Sequence, residues 1–527
     1  MEKVIGRGTW LDKLSFEIIQ RERTLKRNLS LVRVESGLGA SGIPHVGSLS
    51  DALRAYGVKL AIEDMGFKSE LVAYSDDMDG LRKVPAGLPK ELDRYLAMPV
   101  SRIPDPFGCH GSYGSHMGGL LREALDVLRV EYRFESGAEV YRRNLLRNQI
   151  EAILSRGREV GEKIKEMTGQ EKYEEVLPYF PVCANCGRIY TAHAKAYEPS
   201  TGTVAYECIG ADVAGRKLEG CGHRGEVRVS TGEGKLSWKV EFAARWAALD
   251  VRFEAYGKDI ADSVRVNDWV SQHVLGFPPP FHVQYEMFLD KSGRKISKSA
   301  GNVFTPQTWF RYGSPKSLVL LMYKRIKGAR TLSTEDIPKY MDEYDQLEDI
   351  YFGKAKVGSK DKAVRLRGLY EYTNFLRPPR APEQHVPYRL LAEVAFAAPP
   401  DDLEGYCVRR LQAYRMVNEP TEALLQRIRL ARNWAVEVMG ELPKPRLTAV
   451  ERKAVKDLVD MLSSTTQAEA IQDGIFEIAK SNGLQPGEYF KLLYRVLLGS
   501  ERGPRLGPYI VDVGVERVAS SLKKVLE

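Results

Sequence analysis

Two adjoining stretches, LSLVRVESG at residues 29–37 and HVGSLSDALRAYGVKLAIEDMG at residues 45–66, decide the fold of this 527-residue chain. The first is an apolar, β-branched run that ends in glycine, which predicts a buried strand. The second carries apolar residues at helical spacing, which predicts a helix. A strand, a turn and a helix in this order are the first unit of an α/β sheet.

Further strand and helix patterns alternate along the chain. SELVAYS (69–75) and VEYRFES (130–136) predict two more strands, with a helix in GGLLREALDVL (118–128) between them. After an interruption, strand patterns return in DVRFEAYG (250–257) and PFHVQYEMF (280–288). This alternation is typical of a doubly wound parallel sheet. We therefore predict an α/β, Rossmann-like catalytic domain that is built in two halves.

The interruption and the helix-rich end of the chain divide the sequence into four regions. Residues 1–136 form the first half of the Rossmann-like domain, and residues 236–335 form the second half with a lysine-rich loop. Residues 137–235, with a charged helical segment and clustered cysteines, indicate an inserted connective region. In residues 336–527 strand patterns are scarce, and long Leu-, Arg- and Glu-rich segments, such as AVERKAVKDLVDML at residues 449–462, predict helices and an all-α region. A proline-rich linker at residues 377–388 interrupts it.

Charge and cysteine content limit the class of protein. The formal net charge is +8, which is compatible with a nucleic-acid partner but is a weak indication by itself. Four of the six cysteines are clustered, which indicates metal binding rather than a disulfide framework. The sequence lacks a signal-peptide pattern at its start and a long apolar span, so we expect a cytoplasmic protein without a membrane segment.

Two short motifs carry the chemistry. SGIPHVGS, residues 41–48, joins the first strand to the first helix, where helix amides favour phosphate and Gly47 lets a nucleotide approach the backbone. DKSGRKISKSAGNV, residues 290–303, is a basic loop bounded by glycines that suits a polyanion such as a triphosphate. Taken singly, the first is explained as well by a helix-capping turn with an incidental histidine, and the second by a solvated surface turn.

Together the two motifs resemble the signatures of the class I aminoacyl-tRNA synthetases, here His45-Val46-Gly47-Ser48 and Lys295-Ile296-Ser297-Lys298-Ser299. The resemblance implies that His45, Lys295 and Lys298 are catalytic. They would stabilise the triphosphate of ATP, which arrives with Mg²⁺, while an amino-acid carboxylate attacks the α-phosphate. At Ser48 the fullest form of the signature has a second histidine. The residues that the resemblance assigns to ATP binding are Pro44, His45, Gly47, Ser48, Lys295, Ser297 and Lys298.

Other stretches resemble one branch of that class, the archaeal-type class I lysyl-tRNA synthetases, from residue 31 to the C-terminus. The resemblance implies activation of L-lysine and its transfer to tRNA(Lys), with the inserted region at the acceptor end and an α-helix-cage-like region at the anticodon. The alternatives are a class I synthetase for another amino acid such as glutamate, an adenylate-forming nucleotidyltransferase, and a synthetase-like RNA-binding protein without aminoacylation. The stretches are SDDMDGLRKVP, MPVSRIPDPFGCHGSYGSH, WKVEFAARWAALDVRFEAYGKD, YEMFLDKSGRKISKSAGNV and LLYRVLLGSERGPRLGPYI.

A lysine substrate requires carboxylates, because a buried ammonium group must be paired. Asp76, Asp77 and Asp79 follow the second predicted strand, and Glu35 lies on the first. A helix-capping role is an equal alternative for any single one of these aspartates. The resemblance adds Gly37 as the floor of the pocket, with Trp238 and Tyr285 as its aromatic walls; core packing is the alternative. At Ile260 the family usually has histidine.

Two cysteine- or histidine-rich clusters predict structural metal sites. Thiolates two residues apart, as in CANCG, are able to grip one tetrahedral ion, although about ten extra residues separate the later pair, so we expect an inserted loop. His223 is an alternative ligand and free thiols are the alternative to a metal. The candidate ligands are Cys183, Cys186, Cys208 and Cys221 in the first set, and Asp105, Cys109, His110 and His116 in the second. For the second set, the residues alone favour hydrogen-bonded loop histidines over a metal, and the resemblance implies a structural zinc there. We therefore expect two Zn²⁺ ions.

Overall fold

The computed structural model describes residues 4–294, 296, 304–439, 446–498, 501 and 503–526. The chain divides into two compact units. Residues 357–378, which lie inside the predicted helical region, belong to the first unit. The first unit comprises Met1–Gln307, Val319–Leu332 and Val357–Pro378, and the second comprises Thr308–Leu318, Ser333–Lys356 and Pro379–Glu527.

A five-stranded sheet forms the centre of the first unit, and all its neighbouring strands are parallel. The strand order is β5-β4-β1-β2-β3. The chain adds β2 and β3 on one side of β1 and then β4 and β5 on its other side, which confirms the doubly wound prediction. The crevice outside the carboxyl ends of β1 and β4 is therefore the topological switch point, where such sheets bind ligands. The strands are β1 (Val32–Leu38), β2 (Ser69–Ser75), β3 (Arg133–Ser136), β4 (Val251–Gly257) and β5 (Phe281–Tyr285).

The strand predictions hold best where the apolar run is continuous. β2 occupies all of the predicted residues 69–75, because both of its faces are covered, as is usual for parallel strands. β1 begins three residues later than predicted and β3 also begins three residues later. Glu35 is fully buried in the middle of β1. A buried acid inside such a strand requires a partner, and this partner lies in the candidate site described below.

Five helices of the first unit accompany the sheet. α2 begins directly after His45 and contacts β1, β2 and β4. α4 is buried nearly all round, including two charged residues, Glu241 and Arg245. The helices are α1 (Trp10–Thr24), α2 (Val46–Asp64), α3 (Tyr113–Val127), α4 (Trp238–Leu249) and α5 (Ala261–His273).

The region inserted between β3 and α4 begins with helices, as predicted, and continues with antiparallel strands that were not predicted. A hairpin of two strands lies between Cys208 and Cys221 and accounts for the expected inserted loop. The helices are Gly137–Arg142, Arg147–Ser155 and Gly157–Thr168. The strands are Tyr179–Pro181, Ala192–Glu198, Thr203–Cys208, Gly210–Val213, Arg216–Glu219, Arg224–Arg228 and Gly234–Leu236.

The regular elements in the described part of the second unit are helices, which confirms the all-α prediction for this part of the fold. The predicted helix at residues 449–462 is observed as Ala449–Leu462, where Thr448 and Glu451 form a reciprocal capping box. Its helices are Ile337–Tyr351, Tyr388–Ala397, Leu403–Ala413, Glu422–Glu437, Ala449–Leu462, Ala468–Ser481, Pro486–Leu498, Leu506–Val513 and Val515–Leu526.

The remaining elements are short or lie at the junctions of the two units' segments. They are the helices Pro306–Tyr312, Pro315–Tyr323 and Lys360–Thr373, and the paired strands Phe288–Leu289 and Arg330–Thr331. Across the described residues, no helix has both the length and the apolar character needed to cross a bilayer.

Candidate active site

A cleft opens at the carboxyl ends of β1 and β2, next to the switch point of the sheet. Its walls come from the segments that follow these two strands and from the first residue of α4. Asp76 and Trp238, two of the predicted substrate-binding residues, both lie in this wall. The lining residues are Gly39, Ala40, Ser41, Asp76, Asp79, Gly80, Arg82, Lys83, Pro85 and Trp238.

His45 is the N-cap of α2. Its Nδ1 accepts a hydrogen bond of 3.3 Å from the backbone N–H of Ser48, so the imidazole lies against the first turn of the helix. The backbone N–H of Val46 donates a 2.8 Å hydrogen bond to the carbonyl of Phe304. This contact ties the histidine turn to the residue that directly follows the lysine-rich loop. Lys295, Ser297 and Lys298 of that loop lie outside the described residues.

Gly47 has a steric reason to be glycine. A Cβ atom at this position would lie 2.7 Å from both Cε1 and Nδ1 of His45, closer than real Cβ contacts come. A side chain here would displace the imidazole from its capping position. Pro44, which precedes His45, is buried, and Ser48 is half-buried.

Arg245 lies behind the cleft and binds three carboxylates from three adjacent strands. Its Nη2 lies 2.7 Å from Glu35 Oε1 on β1, and its Nη1 lies 3.0 Å from Asp76 Oδ1 at the end of β2. Glu254 on β4 is 3.5 Å away. The guanidinium also packs 4.2 Å from the centre of the Tyr74 ring. Sequence analysis did not identify this residue.

The pKa values of two of these carboxyl groups are raised. Burial raises the pKa of Glu35 to about 8, against the opposing effect of Arg245. Burial also raises the pKa of Asp76 to about 7, again opposed by Arg245. A cation that entered the cleft beside Asp76 would favour the ionised forms of both acids.

A second buried cation, Lys235, binds two more acids beside the cleft. Its Nζ lies 2.5 Å from Asp79 Oδ1 and 2.7 Å from Glu241 Oε2. Asp77 faces away from these pairs, because its carboxylate accepts hydrogen bonds from Ser136 Oγ and from the backbone N–H of Ala138. Its contacts are those of a cap on the helix Gly137–Arg142, which is the alternative considered for the acidic turn.

The two predicted aromatic walls occupy different surroundings. Trp238 lies in the cleft wall, and the guanidinium of Arg82 lies 5.5 Å from the centre of its ring. Within the described part of the chain, Trp238 Nε1 is buried without a hydrogen-bond partner. Tyr285 is buried at the end of β5, with Arg54 over its ring at 4.2 Å and Asp51 hydrogen-bonded to its hydroxyl. It is not part of the cleft lining among the described residues.

Gly37, the predicted floor of the pocket, lies on β1 just before the segment that lines the cleft and is not itself one of the described lining residues. The atom nearest to a Cβ built at this glycine is Asp76 Oδ2, at 3.8 Å. Asp76 therefore directs one oxygen at Arg245 and the other towards Gly37. Ile260, where the family usually has histidine, is the N-cap residue of α5, is half-buried and packs against the hydrophobic core.

The four cysteines of the inserted region lie close together, with their sulfur atoms all within 4.8 Å of one another. Cys183 Sγ lies 3.6 Å from Cys221 Sγ, and Cys186 Sγ lies 3.8 Å from Cys208 Sγ. A tetrahedral ion with metal–sulfur bonds of about 2.3 Å separates its sulfur ligands by about 3.8 Å. The donor set therefore fits a tetrahedral zinc ion. His223 is not a member of the cluster.

The second predicted metal set is also brought together, at the loop that precedes α3. Cys109 Sγ lies 3.1 Å from His110 Nδ1 and 3.2 Å from His116 Nδ1. Burial opposes ionisation of Asp105, but hydrogen bonds from backbone amides prevail and lower its pKa to about 2. One thiol, two imidazoles and an ionised carboxylate are a donor set that also suits zinc.

Sequence reasoning missed the cations of the site, although a signal was present. Apart from Lys239 in its first turn, the segment WKVEFAARWAAL is apolar or small on every face, yet it contains Glu241 and Arg245. A helix of this kind is buried, and charged residues in a buried helix must have charged partners. That rule predicts that Arg245 has an acidic partner, although it cannot say which.

Comparison with known proteins gives a consistent result. Residues 8–375 match the model of the family described as tRNA synthetases class I (K). The chain is 52% identical over 524 residues to a lysine–tRNA ligase from Cenarchaeum symbiosum (strain A), covering 99% of each chain. It is 33% identical over 512 residues to a lysine–tRNA ligase from Rickettsia africae (strain ESF-5), covering 94% of this chain and 93% of the relative.

Proposed function

Because the chain belongs to the lysine-specific class I tRNA synthetases, we propose that the histidine turn and the lysine-rich loop form the ATP side of one active site, with the adjoining cleft as its lysine side. The reaction is the ATP-dependent activation of L-lysine to lysyl-adenylate, followed by transfer of the lysyl group to tRNA(Lys). The protein is a lysine–tRNA ligase and its partners are ATP, L-lysine and tRNA(Lys).

One observation carries the proposed ATP side. The 2.8 Å hydrogen bond from Val46 N–H to the Phe304 carbonyl joins the residue after His45 to the residue after the lysine-rich loop. Two sequence motifs that are 250 positions apart are thereby connected at the N-terminus of α2. Helix N-terminal amides and lysine side chains both favour a polyphosphate. This proximity supports the proposal.

In the proposed mechanism, the lysine carboxylate attacks the α-phosphate of ATP and pyrophosphate leaves. His45 and the first turn of α2 contact the triphosphate, while Lys295 and Lys298 neutralise the charge that develops on the leaving pyrophosphate. Mg²⁺ that is bound to ATP supplies further charge neutralisation. The proposed ATP-binding residues are Pro44, His45, Gly47, Ser48, Lys295, Ser297 and Lys298.

On the lysine side, Asp76 is the proposed partner of a substrate ammonium group, with Gly37 as the floor and Trp238 as a wall. Asp76 lines the cleft and directs Oδ2 towards Gly37. Glu35, Asp77 and Tyr285 are proposed to act from behind the cleft wall, since each contacts neighbouring protein groups. Removal of Asp76 would leave a lysine ammonium without its closest anionic partner.

Beyond the catalytic centre, we propose two structural zinc ions, one in each cluster. Of the four regions proposed from the sequence, the inserted one at residues 137–235 would contact the acceptor end of tRNA. The helical one at residues 336–527 would contact the anticodon by stacking and basic side chains. Since tRNA charging serves translation, the proposed location is the cytoplasm.

Pyrophosphate exchange, measured with each amino acid in turn, tests the proposed function. We expect exchange that depends on L-lysine, and charging of tRNA(Lys) with lysine by the same preparation. Exchange that depends on glutamate instead would assign the chain another amino acid. Binding of tRNA with no exchange for any amino acid would identify an RNA-binding protein that has lost activation.

The lysine site should also depend on pH. Since only the ionised Asp76 attracts an ammonium group, and burial raises the pKa of this acid to about 7, lysine affinity should improve as the pH rises through 7. The KM for lysine should be about tenfold higher at pH 6 than at pH 8, with little change in the KM for ATP. The groups that act electrostatically on Asp76 or its neighbour Glu35 are Arg245, Asp79, Lys235, Glu241 and Glu254.

Asp76→Asn supplies the control for this pH profile. The amide has nearly the same shape but does not titrate, so the variant should bind lysine weakly at every pH in this range. A wild-type KM for lysine that stays constant from pH 6 to pH 8 would contradict the assignment of Asp76 to the substrate ammonium group.

A further inference from the structure

The carboxylate cluster behind the cleft contains more negative than positive charge. Glu35, Asp76 and Glu254 share a single guanidinium, that of Arg245, which is 1% exposed. Glu254 is further fixed by Trp246 Nε1, which donates a 2.5 Å hydrogen bond to its Oε2. The nearby ion pairs of Lys235 do not correct the balance, because that lysine also faces two acids.

Buried charges are expensive unless they are paired, so a cluster with more acids than cations either retains protons, as the raised pKa values of Glu35 and Asp76 indicate, or takes up a further cation. Only one member of the cluster reaches the cleft. Asp76 lines the cleft, whereas Glu35 is fully buried within β1. A cation that approaches from the cleft therefore meets Asp76 first, with the other acids behind it.

We propose that Arg245 is a positioning residue for lysine recognition: it holds Asp76 by one oxygen, so that the other oxygen faces Gly37 and pairs with an ammonium group of the substrate. The inference rests on the proposed function, because it takes lysine to be the cation. In this arrangement Arg245 touches no substrate atom. It acts through Asp76, and it aligns the ends of β1, β2 and β4 on one side of the pocket.

The planar guanidinium is essential to this role. Arg245 reaches Glu35 and Glu254 with Nη2 while Nη1 binds Asp76, which places two donors in fixed directions. A lysine in its place would keep the positive charge as a single point without that fork. The charge and the geometry are therefore separable by mutation.

Arg245→Lys is the first test. We expect the KM for lysine in pyrophosphate exchange to rise roughly tenfold or more, because the orientation of Asp76 is lost, while the KM for ATP changes little. Arg252→Lys is the matched control. Arg252 is also buried, at 4% exposure, and also pairs with acids, Glu22 and Asp250, but it lies at the opposite end of β4. This control should leave the KM for lysine unchanged.

A double-mutant comparison separates positioning from general loss of structure. If Arg245 acts through Asp76, then Arg245→Lys added to Asp76→Asn should raise the KM for lysine no further than Asp76→Asn alone. Independent effects that multiply would overturn the proposal. So would an Arg245→Lys enzyme whose KM for lysine matches that of the wild type.

Glu254→Gln keeps the proposal testable if Arg245→Lys does not fold. This change retains Arg245 but weakens the ion pair between Glu254 and Nη2 of its guanidinium, so Asp76 should be held less firmly and the KM for lysine should rise severalfold, with the KM for ATP little changed. An unchanged KM for lysine in the folded variant would overturn the proposal. Failure of the proposed function is distinguishable, because in that case the wild-type protein would itself show no lysine-dependent exchange.

Discussion

Replacing His45 with asparagine should lower lysine-dependent pyrophosphate exchange by roughly 10²–10³-fold while leaving the fold intact. His45 has two roles that a simple deletion would confuse. Its Nδ1 caps α2 through the Ser48 amide, and its ring is the proposed contact of the triphosphate. Asparagine is among the best N-cap residues, so His45→Asn preserves the cap and removes only the imidazole.

His45→Ala completes the comparison. It removes both the cap and the ring, so it should lose about as much exchange activity as His45→Asn. It should also unfold at lower temperature, because loss of an N-cap costs about 1 kcal/mol. Circular dichroism during heating would measure that difference. An active His45→Asn enzyme would show that the histidine serves the helix and not the reaction.

The second large effect is expected at the four-cysteine cluster. Cys186→Ser should reduce the zinc content from about two ions per chain to about one, measured by elemental analysis of the purified protein. It should also destabilise the inserted region, since binding of a structural zinc ion contributes to folding. Charging of tRNA should fall more than lysine-dependent exchange, because the proposed contact of this region is with the acceptor end.

Cys407→Ser is the matched control for that experiment. Cys407 is fully buried in the helix Leu403–Ala413 and belongs to neither cluster. Its replacement should leave the zinc content at about two. Cys109→Ser should lose the other ion. A folded wild-type protein that contains no zinc would refute both metal assignments.

The sequence predicted the elements that depend on local pattern. The order of strands and helices in the sheet, the position of β2 and the helix at residues 449–462 follow from apolar periodicity and turn residues. The structure also brings together both predicted ligand sets; the Cys-x-x-Cys pair indicated the first, and the second was singled out by the family resemblance. The strands of the inserted region were missed, since they lack the continuous apolar runs that indicate β1 and β2.

Apolar periodicity and turn residues did not predict the ion pairs of the site. Glu35 and Asp76 were recognised as candidate acids, but their shared partner Arg245 is about 170 to 210 residues away in sequence and comes from a different half of the sheet. Such a pair depends on which helix crosses which strand ends, and periodicity does not contain that information. Asp77 shows the same limit, because a capping role was foreseen as an alternative, yet the amide that its carboxylate binds, that of Ala138, lies 61 residues away in sequence.

The hairpin between Cys208 and Cys221 should accept inserted residues at its tip. Its base is closed by the hydrogen bond from Gly222 N–H to the Cys208 carbonyl, so the two strands leave and return at the same point. Val213 and Leu218 extend from it into the hydrophobic cluster beside Leu81. Extra residues at the tip would add little closure entropy and would not disturb the thiols. A foreign peptide or reporter could therefore be inserted at the tip of the hairpin without changing the parallel sheet of the first unit.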